Sequence, residues 1–306
     1  MIKNFKFLLQ LIGSFIGLLL LSLQIVNGFS KINTEIFQEF NIWFLFFAIF
    51  AAVIALILQI YGWLLLINTI GYELKLKKVV FGYTFTFLPR YIPGTIWGYL
   101  TRSEWLLKLY KIPYKDSAFI SLVEMIMIFV TNVIIGSYYL PNPYKNFIFL
   151  TFFCLFSSSI LFKKRYRQKL HKINYYFQLV SKVNFFSGLI IIFIYFLSWF
   201  FYGIGLIYTL NAFSIETIFS FHNILLITSI NSISWVIGFL VIFIPAGLGV
   251  REYTLNFLLM STLLLPNPIS STISVSYRII TLISEVLLLV FSFILSRKFK
   301  IPNYFK

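Results

Sequence analysis

Residues 243–252 read Phe-Ile-Pro-Ala-Gly-Leu-Gly-Val-Arg-Glu and lie between two long apolar runs. Proline removes a backbone donor and glycine adopts dihedrals closed to other residues, so a helix reaching Pro245, Gly247 and Gly249 breaks there. In hydrocarbon, broken backbone survives only where protein or a water-filled cavity shields it. Arg251 and Glu252 follow at once, so the break and a pair of charges coincide. That coincidence marks the stretch as the functional centre.

A related stretch occurs earlier. Arg90-Tyr-Ile-Pro-Gly-Thr-Ile-Trp-Gly98 is followed by Arg102 and Glu104. Each copy holds Ile-Pro, a glycine within two residues, a second glycine two to four residues on, then arginine and glutamate. An apolar segment with an internal acid follows each, Glu124 after the first and Glu285 after the second. Paired interruptions such as Pro93-Gly94 and Pro245-Gly247 in two halves of a membrane protein point to a binding site between repeats. The expectation is one integral membrane domain over 1–306, with pseudo-repeats of about 1–162 and 186–306 joined by a basic cytoplasmic linker, 163–185.

Composition supports the bilayer. Sixty per cent of residues are hydrophobic and 11% are charged, where a soluble domain carries about 25% charged residues. The mean hydropathy is +0.91. A net charge of +16 would suggest nucleic acid in a soluble protein, but here the cations cluster between apolar runs. They read as cytoplasmic loops facing anionic lipid, with no nucleic-acid partner. Cys154 is the only cysteine and the two histidines, His171 and His222, are isolated, so neither a disulfide framework nor a metal or other cofactor site is expected.

Spans of about 20 apolar residues give the topology. Crossings are expected at 7–26, 42–70, 118–140, 147–162, 186–210, 223–244, 250–265 and 269–295, the 250–265 run being short for one. The segment 79–110 carries cations at both ends and breaks at Pro93-Gly94, so it reads as a re-entrant pair of half-helices. Two amphipathic helices lying on the membrane surface are the alternative. The predicted class is therefore all-α, a polytopic membrane bundle of about eight transmembrane helices plus re-entrant half-helices. Only Lys31 and Lys145 among the cations fall in external loops, which places both termini in the cytoplasm.

Glu124, Arg278 and Glu285 lie inside apolar spans, where a charge costs about 2.5–3.5 kcal/mol on the insertion scale and normally has a partner or meets water. Arg278 and Glu285 are two turns apart, about 10 Å along a helix axis, too far to pair directly. Glu124 is a natural partner for Arg278; such a pair would either brace the bundle or line a substrate path. Arg90, Arg102 and Arg251 flank the two breaks, and guanidinium groups suit bidentate phosphate contact. Helix N-termini after Gly94 and Gly249 would add backbone N–H donors. Glu104 and Glu252 would orient these arginines, unless the arginines simply snorkel to the headgroups. Trp97 and Trp105 read as interfacial belt residues.

The segment 244–252 resembles the Pro-Gly-Gly-Leu-Gly-Val-Arg-Glu signature of the lysylphosphatidylglycerol synthase transmembrane-region family, a group of flippase-like membrane proteins. The block 90–98 is similar to that family's Arg/Lys-Tyr-Leu-Pro-Gly-Lys-Ile-Trp motif. Ala246 stands where the family often has glycine, a mild change if the backbone there needs no positive φ. Thr95 replaces a frequent lysine. With the sequence closing at Lys306, the resemblance implies a stand-alone member without the aminoacyltransferase domain. It implies translocation rather than catalysis, in a bacterial inner membrane, of an anionic or polyprenyl-phosphate-linked lipid. Enzymes of lipid or glycan assembly would be its partners. A membrane transferase acting on a lipid-linked substrate and a non-transporting scaffold are the rival expectations.

Overall fold

The computed structural model describes residues 40–91, 97–143, 185–217 and 219–298, with isolated positions within 19–26 and 146–183. The predicted spans 7–26 and 147–162 and the linker 163–185 thus fall almost wholly outside the described residues, as do Pro93 and Gly94.

Eight α-helices and no strand occur among the described residues. They are α1 (Ile42–Ile70), α2 (Leu76–Phe85), α3 (Trp97–Tyr110), α4 (Tyr114–Gly136), α5 (Phe185–Ala212), α6 (Phe221–Leu240), α7 (Val250–Leu263) and α8 (Asn267–Lys298). The segments Ile42–Ile70, Tyr114–Tyr139, Phe185–Ala212, Phe221–Leu240 and Asn267–Ser296 are long and apolar enough to cross a membrane. Helix α7 has 14 residues, about 21 Å, which falls short of a hydrocarbon core of about 30 Å. Five of the eight expected crossings therefore stand among the described residues.

Local chemistry sets the helix ends. Asn41 caps α1, its side-chain oxygen accepting from Trp43 N–H at 3.0 Å. Gly71 closes that helix in the left-handed region at φ 109°, and its N–H reaches back to the carbonyls of Ile67 and Asn68. Ser220 caps α6 by accepting from Asn223 N–H. In lipid no water drives apolar helices together, so small residues that let backbones approach and polar cross-links take over. Ala48, Ala51, Ala52 and Ala55 of α1 are buried against α5, where Gly205 approaches the Ala48 carbonyl and Ser198 Oγ donates to the Ala55 carbonyl at 2.9 Å. Ser229 of α6 reaches the Ile135 carbonyl of α4 at 2.9 Å. Each such bond contributes roughly 0.6 kcal/mol on average. The outer faces are apolar and open: Trp43, Phe46 and Phe50 on α1, Phe186 and Phe193 on α5, and Phe291 and Ile294 on α8 are all exposed, as lipid-facing side chains should be.

Helices α2 and α3 form a hairpin inside the bundle. Val79, Phe81, Tyr83 and Phe87 on one arm and Trp105 and Leu106 on the other are buried, so the hairpin does not lie on the surface. Gly82 permits the arms to close, because a Cβ there would sit 2.4 Å from the Trp105 ring. Trp105 is thus a core residue and not a belt residue; glycine opposite the indole is what draws it inward. Thr84 and Ser292 share a hydrogen bond of 2.7 Å that fastens the hairpin to α8.

Candidate functional site

A short 3-10 turn precedes the first expected break, and another forms the second. After α2 the chain turns through Leu88–Tyr91, which carries Arg90 and Tyr91. After α6 it runs through Val241–Ile244 into the turn Pro245–Gly247 and then α7. Ala246 has φ 50° and ψ 19°, and Gly247 and Gly249 have φ 66° and 78°. The expectation that Ala246 replaces glycine mildly is therefore corrected: its backbone is left-handed, where an L side chain is strained by roughly 1–2 kcal/mol. Gly247 has a second reason to be glycine, since a Cβ would meet the Gly238 carbonyl oxygen at 2.8 Å. The two turns pack against each other, although about 150 residues of sequence separate them.

Three ion pairs radiate from this contact. Arg90 Nη1 donates to Glu285 Oε1 at 3.2 Å, and Tyr91 Oη donates to Glu285 Oε2 at 3.1 Å, so one carboxylate on α8 receives the whole first turn. Arg102 donates to Glu124 through a short contact, and Tyr83 Oη donates to the other oxygen at 2.9 Å. That pair is enclosed, at 4% exposure for Arg102 and 0% for Glu124, and Trp63 and Tyr83 face the guanidinium at 4.8 and 3.9 Å. Arg278 Nε lies 3.2 Å from Glu252 Oε1, while its Nη2 reaches the Ala246 carbonyl at 3.5 Å. Glu252 Oε2 also accepts from Gly249 N–H at 2.6 Å, tying the start of α7 to the break.

The partner expected from sequence is thereby corrected. Glu124 holds Arg102 across the hairpin, and Arg278 holds Glu252. The reason is topological: α3 and α4 are sequential neighbours, whereas Arg278 points at the second break. Glu252 accordingly orients Arg278 and not Arg251.

A cavity of about 140 Å³ opens between the two turns. Such a space holds several waters, because one needs roughly 10–15 Å³. Arg90, Arg102, Arg251, Glu252, Arg278 and Glu285 all line it. Glu124 lies directly behind Arg102. Pro245, Gly247 and Gly249 are not among the lining residues but flank Ala246, which is, and Glu104 is exposed on α3 away from the lining. The opposite wall is aromatic: Trp199, Tyr202, Trp235, Phe239 and Tyr277 line it, with the Trp235 and Phe239 rings stacked at 5.0 Å. Sequence reasoning passed over this wall because aromatic residues are abundant everywhere in the chain. Asn231, a polar residue within an apolar span, was the available signal; it donates to Tyr277 Oη at 3.1 Å, and that phenol donates to the Tyr202 carbonyl.

Five helical segments long and apolar enough to cross a membrane, packed around an arginine-lined cavity, define a multi-pass helical membrane protein with an internal polar site. The chain belongs to the lysylphosphatidylglycerol synthase TM region family, whose model matches residues 10–288. No curated protein and no solved structure matches it.

Proposed function

We propose that this protein is a flippase that carries a phosphate-bearing lipid, either an anionic phospholipid or a polyprenyl-phosphate-linked lipid, across a bacterial cytoplasmic membrane. One observation carries the reading: four arginines line one cavity within the helical bundle, beside the contact between the turns Leu88–Tyr91 and Pro245–Gly247. Charges at such depth are costly and mark pathways, and guanidinium groups bind phosphate oxygens in a bidentate manner. A headgroup occupying the cavity would exchange water for arginine, with the acyl or prenyl chains left among the apolar outer faces. The two breaks would act as hinges between pseudo-repeats of about 1–162 and 186–306, with Arg90–Glu285 as the clasp between them. Both termini would lie in the cytoplasm, a reading that the basic loops support. Enzymes that make or use the carried lipid would be its partners, and the protein itself performs no covalent chemistry.

The test is transport in vesicles. Wild-type protein in liposomes should move fluorescently labelled acidic lipids between leaflets faster than an Arg251→Ala, Glu285→Ala double variant. Equal rates for the two would refute the proposal.

A further inference from the structure

The cavity's charges do not cancel. Arg90, Arg102, Arg251 and Arg278 face three carboxylates among the described residues, Glu124, Glu252 and Glu285, so one positive charge is left over. The ion pairs say which. Arg90 has Glu285, Arg102 has Glu124 and Arg278 has Glu252, but no carboxylate of a described residue lies within ion-pair distance of Arg251. Arg251 Nε is buried without an acceptor, and its guanidinium stands 5.4 Å from the Trp235 ring. Its aliphatic stem packs closely along Gly238. Arg278 is incompletely satisfied as well: its Nε and Glu252 Oε1 are 3.2 Å apart yet off the hydrogen-bonding line, and neither atom has a hydrogen-bond partner.

We infer that this site is matched to one negative charge, so that it takes the monoanionic phosphodiester of a lipid headgroup and rejects dianionic phosphomonoesters and diphosphates. The lipid part of this inference rests on the transport reading above. The charge rule does not. A phosphodiester brings one negative charge, which compensates Arg251 and leaves all three ion pairs intact. A dianion brings a second charge that no spare guanidinium meets; it must displace a glutamate, which then lies buried without its partner. A zwitterionic headgroup has no net charge to offset the excess. Of the two lipid classes named above, the rule favours net-monoanionic glycerophosphodiesters and prenyl-monophosphoryl diesters over prenyl phosphates and diphosphates.

Purified full-length protein in detergent micelles tests this through calorimetric titration with dihexanoyl phosphatidylglycerol, phosphatidic acid and phosphatidylcholine at pH 8. Phosphatidic acid is a phosphomonoester with a second ionisable proton, so it carries more negative charge there than the phosphatidylglycerol diester. Phosphatidylglycerol should bind at least about tenfold tighter than either competitor. Arg251→Gln should abolish that preference, Arg251→Lys should keep it, and Glu285→Gln should shift it toward phosphatidic acid. Equal or tighter binding of phosphatidic acid to the wild type overturns the inference with no variant needed, as does an undiminished preference in Arg251→Gln. Glycerophosphoglycerol serves as a chain-free arm: binding as tight as phosphatidylglycerol would support the charge rule and overturn a lipid as its ligand. Transport separates the two readings. Selective phosphatidylglycerol binding without flipping supports the charge rule and refutes the flippase, whereas equal flipping of both acidic lipids refutes the charge rule and leaves the flippase standing.

Discussion

Gly238 lies flush against Arg251: a methyl group at residue 238 would come 2.3 Å from Cγ of the arginine and 3.1 Å from Nε. The missing side chain on α6 is therefore what seats the cavity arginine that has no carboxylate partner among the described residues. Alanine is favoured over glycine in a helix by about 1 kcal/mol, so Gly238→Ala should not harm α6 itself. It should displace Arg251 and lower lipid transport about tenfold, equivalent to ~1.4 kcal/mol of barrier. In a double-mutant cycle, Gly238→Ala should add almost nothing to Arg251→Ala, because both remove the same group. Vesicle transport rates for the four proteins provide the check, and additive losses would separate the two residues.

Backbone handedness at the second break gives opposite predictions for adjacent positions. Ala246→Gly relieves a left-handed alanine and should raise stability by about 1 kcal/mol. Gly247→Ala introduces that strain and also a contact with the Gly238 carbonyl, so it should destabilise by at least about 1 kcal/mol. Thermal unfolding in detergent should show midpoints moving in opposite directions.

The Arg102–Glu124 pair is enclosed, and removing one partner strands the other. Either Arg102→Met or Glu124→Leu alone should cost about 3–5 kcal/mol, while the double substitution should recover much of that loss. Comparing unfolding midpoints of the two single variants with the double variant measures the coupling. A double variant as unstable as the sum of the singles would mean that the aromatic cage around Arg102, and not the charge pair, holds the hairpin.

Topology has a direct readout. In a background with Cys154 replaced by serine, a cysteine at the exposed position Glu216 should react with a membrane-impermeant maleimide in intact cells. A cysteine at exposed Lys75 should react only after lysis. Reversed labelling would invert the orientation drawn from the basic loops.

Much of this architecture was legible in the sequence because its causes are local. Apolar length gave α1, α4, α5, α6 and α8 to within a few residues, and proline and glycine located the second break. The hairpin of α2 and α3 was legible from cations at both ends of a broken apolar run. Pairing was not, since which carboxylate meets which guanidinium depends on how the helices are arranged in space. Arg102 and Glu124 are 22 residues apart and Arg90 and Glu285 are 195 apart, and nothing in either spacing announces a partner. The left-handed turn at Ala246 was likewise hidden, because alanine gives no sign of the conformation it has been forced into. Gly238 looked like any helical glycine until its neighbour was known.

The reach from Arg90 to Glu285 has a consequence for how the protein is made. At a ribosomal rate of about 5–20 residues per second, the arginine emerges roughly 10–40 s before the glutamate that will neutralise it. During that interval the hairpin must wait at the membrane with an unmatched cation, and the chamber becomes whole only when α8 inserts. Nascent chains halted before residue 285 should therefore stay sensitive to protease around Arg90, a delay written into the order of synthesis itself.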